Sequence, residues 1–425
     1  MKRRKFIEQA SVLAGSALLG PIVMKAAAKK APTILIVSGW QDVNIGDITH
    51  TPGLIGLLHK RLPTAKLMLW KKSESAKVDA LLLKNYPALR IVHGTYNQAL
   101  VPQSDEVKQA FAEADFLIHG SGPSVVGSDN IRSWLQQTGK PFGIFGVTIQ
   151  DVNPPLKELL QKAAFIFTRE TASIDVLRKN GLAGAQIAFA PDATFVLEIN
   201  DKPTASAFLD INGLKEKKFI CAIPRLRYTP YYKWAPNASW TEERIKTVEA
   251  TNEQFKEADH AKLREAMIAW VRNTGNKVLV CPEMLYQVDI MDELLINPLP
   301  QDVKPFVIKR GYWLPDEAAS VYANAKAVLS FECHSPIIAA ANGTPAFYLR
   351  QPTDTIKGQM YYDLGYTDWV FEMDKTSGKQ IADTLMQVQA DYPAALKKVT
   401  EAIRQVNHRY DEAFGIMKQQ DAVFA

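Results

Sequence analysis

Thr33-Ile-Leu-Ile-Val-Ser-Gly39, a helical run from Pro52 to Arg61 and Ala65-Lys-Leu-Met-Leu-Trp70 follow one another near the start of the chain. The first and third are short apolar runs of the kind that strands buried on both faces require, and the run between them has helical spacing. Strand, helix, strand in that order makes a βαβ unit, which lays its two strands parallel. The alternation continues through helices at 78–85, 104–114, 128–138, 154–163 and 171–180, with apolar strands at 89–93, 116–119, 141–147 and 165–167. It pauses in the polar stretch 198–218, then restarts at Phe219-Ile-Cys-Ala-Ile-Pro224 and runs to Pro345–Leu349, with a final helix from about Gly378. The pattern predicts an α/β protein of two Rossmann-like domains, 33–200 and 219–375, joined by a linker at 201–218 and followed by a helical segment at 376–425. Two parallel sheets facing a central cleft place ligands at the carboxyl ends of their strands.

The chain has 425 residues and a formal charge of +5, and residues 1–28 supply +4 of it through Lys2, Arg3, Arg4, Lys5 and Lys25 against Glu8. The remainder is nearly neutral, which excludes the basic face a nucleic-acid partner needs. Basic residues, an apolar run from Ala10 to Met24 and Lys25-Ala-Ala-Ala28 have the order of an export signal with a small-residue cleavage site. The run is shorter than a membrane-spanning helix, so no stable membrane anchor is expected. Arg3-Arg4 with Phe6 resembles the twin-arginine signal, an ordinary secretory signal being the alternative. The expected location is outside the cytoplasm, in the periplasm.

Cys221, Cys281 and Cys333 are an odd number, two of them in apolar strand runs, and suggest no disulfide framework. The seven histidines show no His-x-x-x-His spacing, so no metal centre is expected. Asn44-Ile-Gly46-Asp47 and His119-Gly120-Ser121-Gly122 form glycine-bearing turns between strand and helix, where backbone N–H groups attract anions. Neither has the spacing of a dinucleotide fingerprint or a P-loop, so a nicotinamide enzyme or an NTPase is not supported.

These turns, Pro141-Phe-Gly-Ile-Phe-Gly146, Thr168-Arg169-Glu170 with Ser173, Ala190-Pro191-Asp192-Ala193 and Ser330-Phe-Glu332-Cys333-His334-Ser-Pro with Gly343-Thr-Pro345 occur in one order. In that order they resemble the polysaccharide pyruvyl transferase family over most of residues 33–372. The resemblance implies a glycosyltransferase-B-like pair of domains that uses phosphoenolpyruvate as co-substrate, with no other cofactor, to place a pyruvate ketal on a polysaccharide or oligosaccharide. His334 matches the family's histidine and is the candidate acid/base. Where the family has a donor-binding arginine this chain has Glu332, a reversal of charge that repels phosphate and carboxylate.

Arg225 and Arg227, two residues apart after the strand at Phe219, offer two guanidinium groups to one oxyanion. Tyr228, Tyr231, Tyr232, Trp234 and Trp240 crowd the same loop and suit stacking on sugar rings. Arg169 and Asp192 read as structural. The candidate sites are therefore His334 and Glu332 for catalysis, and Asn44, Gly46, Asp47, Gly120, Ser121, Gly122, Arg225, Arg227 and Tyr228 for substrate. An exported enzyme does not ordinarily meet a cytoplasmic donor, so two alternatives stand beside pyruvyl transfer: removal or rearrangement of an acidic sugar substituent by Glu332 and His334 without phosphoenolpyruvate, and glycan binding without catalysis.

Overall fold

The computed structural model describes residues 31–233 and 240–424. The segment 1–28 expected to be an export signal and Trp234 lie outside them. The first sheet contains β1 (Thr33–Ser38), β2 (Lys66–Lys71), β3 (Arg90–Val92), β4 (Phe116–His119), β5 (Phe142–Val147), β6 (Phe165–Thr168) and β7 (Ile187–Phe189), in the order β3-β2-β1-β4-β5-β6-β7. The second contains β8 (Phe219–Ile223), β9 (Lys277–Val280), β10 (Val307–Lys309), β11 (Ala327–Ser330), β12 (Ala346–Arg350) and β13 (Val370–Glu372), in the order β10-β9-β8-β11-β12-β13. Every pairing in both sheets is parallel. The two α/β lobes have the same winding, so strand order reverses beside β1 in one and beside β8 in the other. Crevices for ligands open at such reversals.

Alternation along β1 shows how the layers pack. Ile34 and Ile36 join a core cluster that continues into the second lobe, while Leu35 and Val37 join the cluster on the opposite face with Trp70, Phe111 and Trp134. Successive side chains of a strand point to opposite faces, so one apolar run serves both layers.

The first helix, Ile45–Arg61, begins seven residues before the Pro52 at which the sequence pattern places its start. Asn44 explains the difference: its side-chain oxygen accepts from the Gly46 and Asp47 amides, capping the free N–H groups of the first turn. The stretch expected to be a linker carries the helix Lys202–Ile211, capped by Asp201, with Ala205 and Leu209 buried. The C-terminal segment is two helices, Gly378–Ala390 and Tyr392–Gln420. The second returns to the first lobe, where the rings of Tyr410 and Phe414 pack 6.3 and 6.2 Å from that of Phe145. Among the described residues no helix is long and apolar enough to cross a membrane.

Candidate functional site

The first helix carries Gly46, His50 and Gly53 on one face, since residues four and three apart stack above one another. A Cβ on Gly46 would lie 2.5 Å from the His334 ring, and one on Gly53 would lie 2.5 Å from the Ala193 carbonyl oxygen. Both positions are closer than a side chain tolerates, so the two glycines let the helix settle against the second lobe at one end and the Asp192 turn at the other. His50, between them and fully buried, is thereby brought to both Asp192 and His334.

His334 opens the helix His334–Ala341, just beyond β11. Its Nε2 lies 2.9 Å from Nε2 of His50 and 3.7 Å from Oδ2 of Asp192, while His50 Nε2 lies 3.2 Å from the same oxygen. The other ring nitrogen, Nδ1, faces Oε1 of Glu283 at 3.4 Å, and the second oxygen of Glu283 accepts from the Ser335 amide at 2.5 Å. Arg169 donates to Asp192 Oδ2 at 2.9 Å, and the Thr194 amide to Oδ1 at 3.0 Å. Burial alone would push His334 down, but Cys333, Asp192 and Glu283 hold it well above the ordinary imidazole range. Burial works against Asp192 and Glu283 as well. His50, His334 and Arg169 keep the first well below the usual carboxylate range, and His334 with Ser335 lowers the second.

Glu332, buried beside this group, accepts from Gln287 Nε2 at 2.7 Å and faces Arg225 Nε at 3.3 Å. Burial pushes its carboxyl up to about 7, with Arg225 opposing and Glu283 reinforcing the rise. Arg225 is also met by Asp354 at 2.5 Å and Gln351 at 3.1 Å. Burial disfavours its charge, but Asp354 and Glu332 hold its guanidinium pKa well above the ordinary value.

The sequence candidates thus divide. His334, Glu332, Gly46, Asp47, Asn44 and Arg225 gather where the carboxyl edges of the two sheets face each other. The Ile45 amide donates to the Glu283 carbonyl at 2.9 Å, and Asn44 bridges to Met284, tying the first lobe's turn to the second lobe. Tyr231, pushed up to about 12 by burial and the Asp47 carboxylate, borders the same place through Gln41, which also donates to Asp47.

Gly120, Ser121 and Gly122 have other contacts. A Cβ on Gly120 would meet Ser38, the Ser121 carbonyl accepts from Trp40, and the Gly122 carbonyl accepts from the Thr148 amide. Arg227 does not share an anion with Arg225. The strand ends at Ile223, before either arginine, so the alternation that would set them side by side stops. Arg227 instead makes a bidentate pair with Asp259 at 2.9 and 3.0 Å and a contact with Asp374 at 2.5 Å, its guanidinium 3.7 Å from the Phe255 ring centre. Tyr228 is exposed and, with Trp240 and Arg244, lines a separate surface cavity.

Sequence spacing missed His50, Glu283 and the central place of Asp192. His50 and His334 are 284 residues apart, beyond any spacing rule. The available signal was Gly46-x-x-x-His50: if the glycine faces the cleft, the histidine one turn later faces it too.

The model of the family described as polysaccharide pyruvyl transferase matches residues 44–351, well over half of the chain. Comparison with curated protein sequences gives no match. Among solved structures the chain is similar to Staphylococcus aureus MnaA with UDP, at 9% identity and a TM-score of 0.56 over 87% of this chain and 91% of that one. It is similar to Anabaena Alr3699/HepE with UDP-glucose, at 13% identity and a TM-score of 0.54 over 91% and 98%. Medicago truncatula UGT71G1 with UDP-glucose gives 11% and 0.53 over 93% and 99%. At such identities the likeness speaks for the fold, two facing α/β lobes of the glycosyltransferase-B kind. The ordered motifs, the facing sheet edges and the family match agree, and the chain belongs to the polysaccharide pyruvyl transferase family.

Proposed function

We propose that the protein transfers a pyruvyl ketal from phosphoenolpyruvate to a glycan in the cleft between its lobes, with His334 and Glu332 handling the proton. In such a transfer the enolpyruvyl methylene takes up a proton, two sugar hydroxyls add to the carbon that bore the phosphate, and inorganic phosphate leaves with the hydroxyl protons rebound to solvent or phosphate. The observation that carries the reading is the placement of His334 and Glu332, two residues apart at the carboxyl edge of the second sheet, opposite the capped, glycine-bearing turn of the first. Proton donors and acceptors placed at such an edge are within reach of a ligand in the crevice. The test is incubation of purified protein with phosphoenolpyruvate and a panel of acceptor glycans. Phosphate release with a gain of one pyruvyl group on the glycan, abolished in His334→Ala, is the expected result. Absence of transfer, together with no phosphoenolpyruvate-dependent rise in melting temperature, would overturn it.

A second reading has its own observation. Arg225 is already matched by Asp354 and Glu332 before any donor arrives. That favours attack of water on a pyruvyl ketal, which releases pyruvate and restores two sugar hydroxyls without a phosphorylated donor. Pyruvate liberated from a pyruvylated polysaccharide in the absence of phosphoenolpyruvate selects this reading over the first. The basic and apolar pattern of residues 1–28 supports action outside the cytoplasm, and a reporter fused to that segment, followed in cells lacking twin-arginine export, tests the route.

A further inference from the structure

The geometry points to a divalent transition-metal site, of the kind that takes zinc, formed by His50, Asp192 and His334 between the two lobes. The site goes beyond the transfer reaction proposed above. The three donor atoms, Nε2 of each histidine and Oδ2 of Asp192, lie 2.9, 3.2 and 3.7 Å from one another, and all three residues are buried. An ion held at about 2.0–2.2 Å from nitrogen and oxygen donors leaves those donors roughly 3 to 3.5 Å apart. One ion therefore reaches all three with side-chain shifts of a few tenths of an ångström.

The surroundings have the form that metal-binding histidines need. His334 turns its Nδ1 to Glu283 at 3.4 Å, and the buried Nδ1 of His50, 4.0 Å from Asp47, has no hydrogen-bond partner among the described residues. A carboxylate beside Nδ1, as at His334, favours the Nδ1–H tautomer and leaves the Nε2 lone pair for a metal. With both imidazoles neutral, two lone pairs and a carboxylate oxygen converge on one point, and either a proton on His334 or a metal cation relieves their repulsion. A single hydrogen shared between the two Nε2 atoms would join only one of the three pairs, whereas an ion joins all three. Arg169 and the Thr194 amide hold Asp192 in place, and a carboxylate oxygen has two lone pairs, so the arginine contact leaves one free. Two imidazoles and one carboxylate suit zinc or ferrous iron rather than magnesium or calcium. Three protein ligands leave a coordination position for water or a substrate oxygen. The ion and a proton compete for Nε2 of His334, so metal occupancy leaves the proton work of the proposed reaction to Glu332.

The experiment needs no substrate, so it can fail while the proposed transfer stands, and the reverse. Untagged protein dialysed against a chelator is titrated with Co2+ and then Zn2+, following visible absorption and metal content. Wild type is expected to take up one Co2+ per chain with ligand-field bands that Zn2+ displaces. His50→Ala should lose the bands, Glu283→Gln should bind about 10- to 100-fold more weakly, and His408→Ala, on an exposed helix face, should bind as wild type. Circular dichroism establishes that His50→Ala is folded, and if it is not, Glu283→Gln carries the test alone. Failure of wild type to take up stoichiometric Co2+, or equal binding by wild type and the folded variants, overturns the site.

Discussion

His119 and His334 occupy corresponding places in the two lobes. One ends β4 and the other stands just beyond β11, each the fourth strand of its sheet, and both strands lie beside the first strand, where the winding reverses. Both side chains are buried, yet their surroundings shift their proton affinity in opposite directions. His119 stacks on Trp40 at 4.9 Å and its Nε2 accepts from the Gly127 amide at 2.9 Å, with burial pushing it down to about 4. His334 is buried too, but Cys333 beside it, with Asp192 and Glu283 from the two lobes, holds it in the opposite direction. Position in the fold gives a histidine access to the crevice. The groups of neighbouring elements decide which way its proton affinity moves there, so comparable strand ends yield a histidine packed among neutral partners in one lobe and one set among carboxylates in the other.

Removing the carboxylate that makes the difference should have the largest effect. Asp192→Asn leaves the buried Arg169 with only the more distant carboxylate of Glu170, at 3.9 Å, and a lost partner in a buried pair costs up to about 3–5 kcal/mol. Urea unfolding should show a loss of unfolding free energy of that size with a lowered midpoint, and an unchanged midpoint would mean that the Arg169–Asp192 contact contributes little.

His119 gives the next effect through pH. Its folded pKa lies near 4 and its unfolded value near 6.5, so between them the unfolded chain binds a proton the native state refuses. Stability is fully present above about pH 6.5 and falls as pH drops toward 4, by up to roughly 3 kcal/mol for this residue. His260, also pushed to about 4 by burial, acts with the same sign. Unfolding measured from pH 7 to 4.5 should give a shallower slope in His119→Gln than in wild type. Equal slopes would show His119 protonated in the native state.

Gly46→Ala tests whether close approach, rather than charge alone, creates the second lobe's site. The added carbon would press on the His334 ring, an overpacking that costs about 1–3 kcal/mol. We expect loss of pyruvyl transfer along with a lowered melting temperature, and full activity would show that the lobes need not meet so closely. The smallest effect is expected at Arg244→Ala, away from both histidines, where a guanidinium stacks 4.0 Å over Trp240. An exposed stack of this kind contributes about 0.5–1 kcal/mol, and a larger change in melting temperature would give that surface a structural role that its contacts do not suggest.

The two-lobed fold was legible because parallel strands buried on both faces must be written as unbroken apolar runs, and β1, β2, β5 and β8 all are. The second-lobe half of the site was legible as well, since Glu332 and His334 sit in one motif after an apolar strand. The other half was not. Asp192 belongs to a short turn whose chemistry depends on what folds against it, and His50 looks like any histidine on a helix until Gly46 and Gly53 are seen to admit neighbours on either side of it. Arg227 shows the converse, because a guanidinium spaced to bind an anion was matched by Asp259, a carboxylate 32 residues away on a helix whose inward face was not predicted.

The helix Tyr392–Gln420 has a consequence for the order in which the molecule is made. Tyr410 donates its hydroxyl to the Asp192 carbonyl at 2.8 Å, and the Phe424 ring packs edge-on against Phe116 at 4.6 Å. Residues that follow the whole second lobe in the chain are thus the ones that close the core of the first. Until they emerge, the emerging chain exposes the apolar surface around Phe116 and Phe145 and leaves Asp192 without this backing. The first lobe is therefore finished only after the second has been made, and a chaperone that meets the chain before then meets that lobe still open.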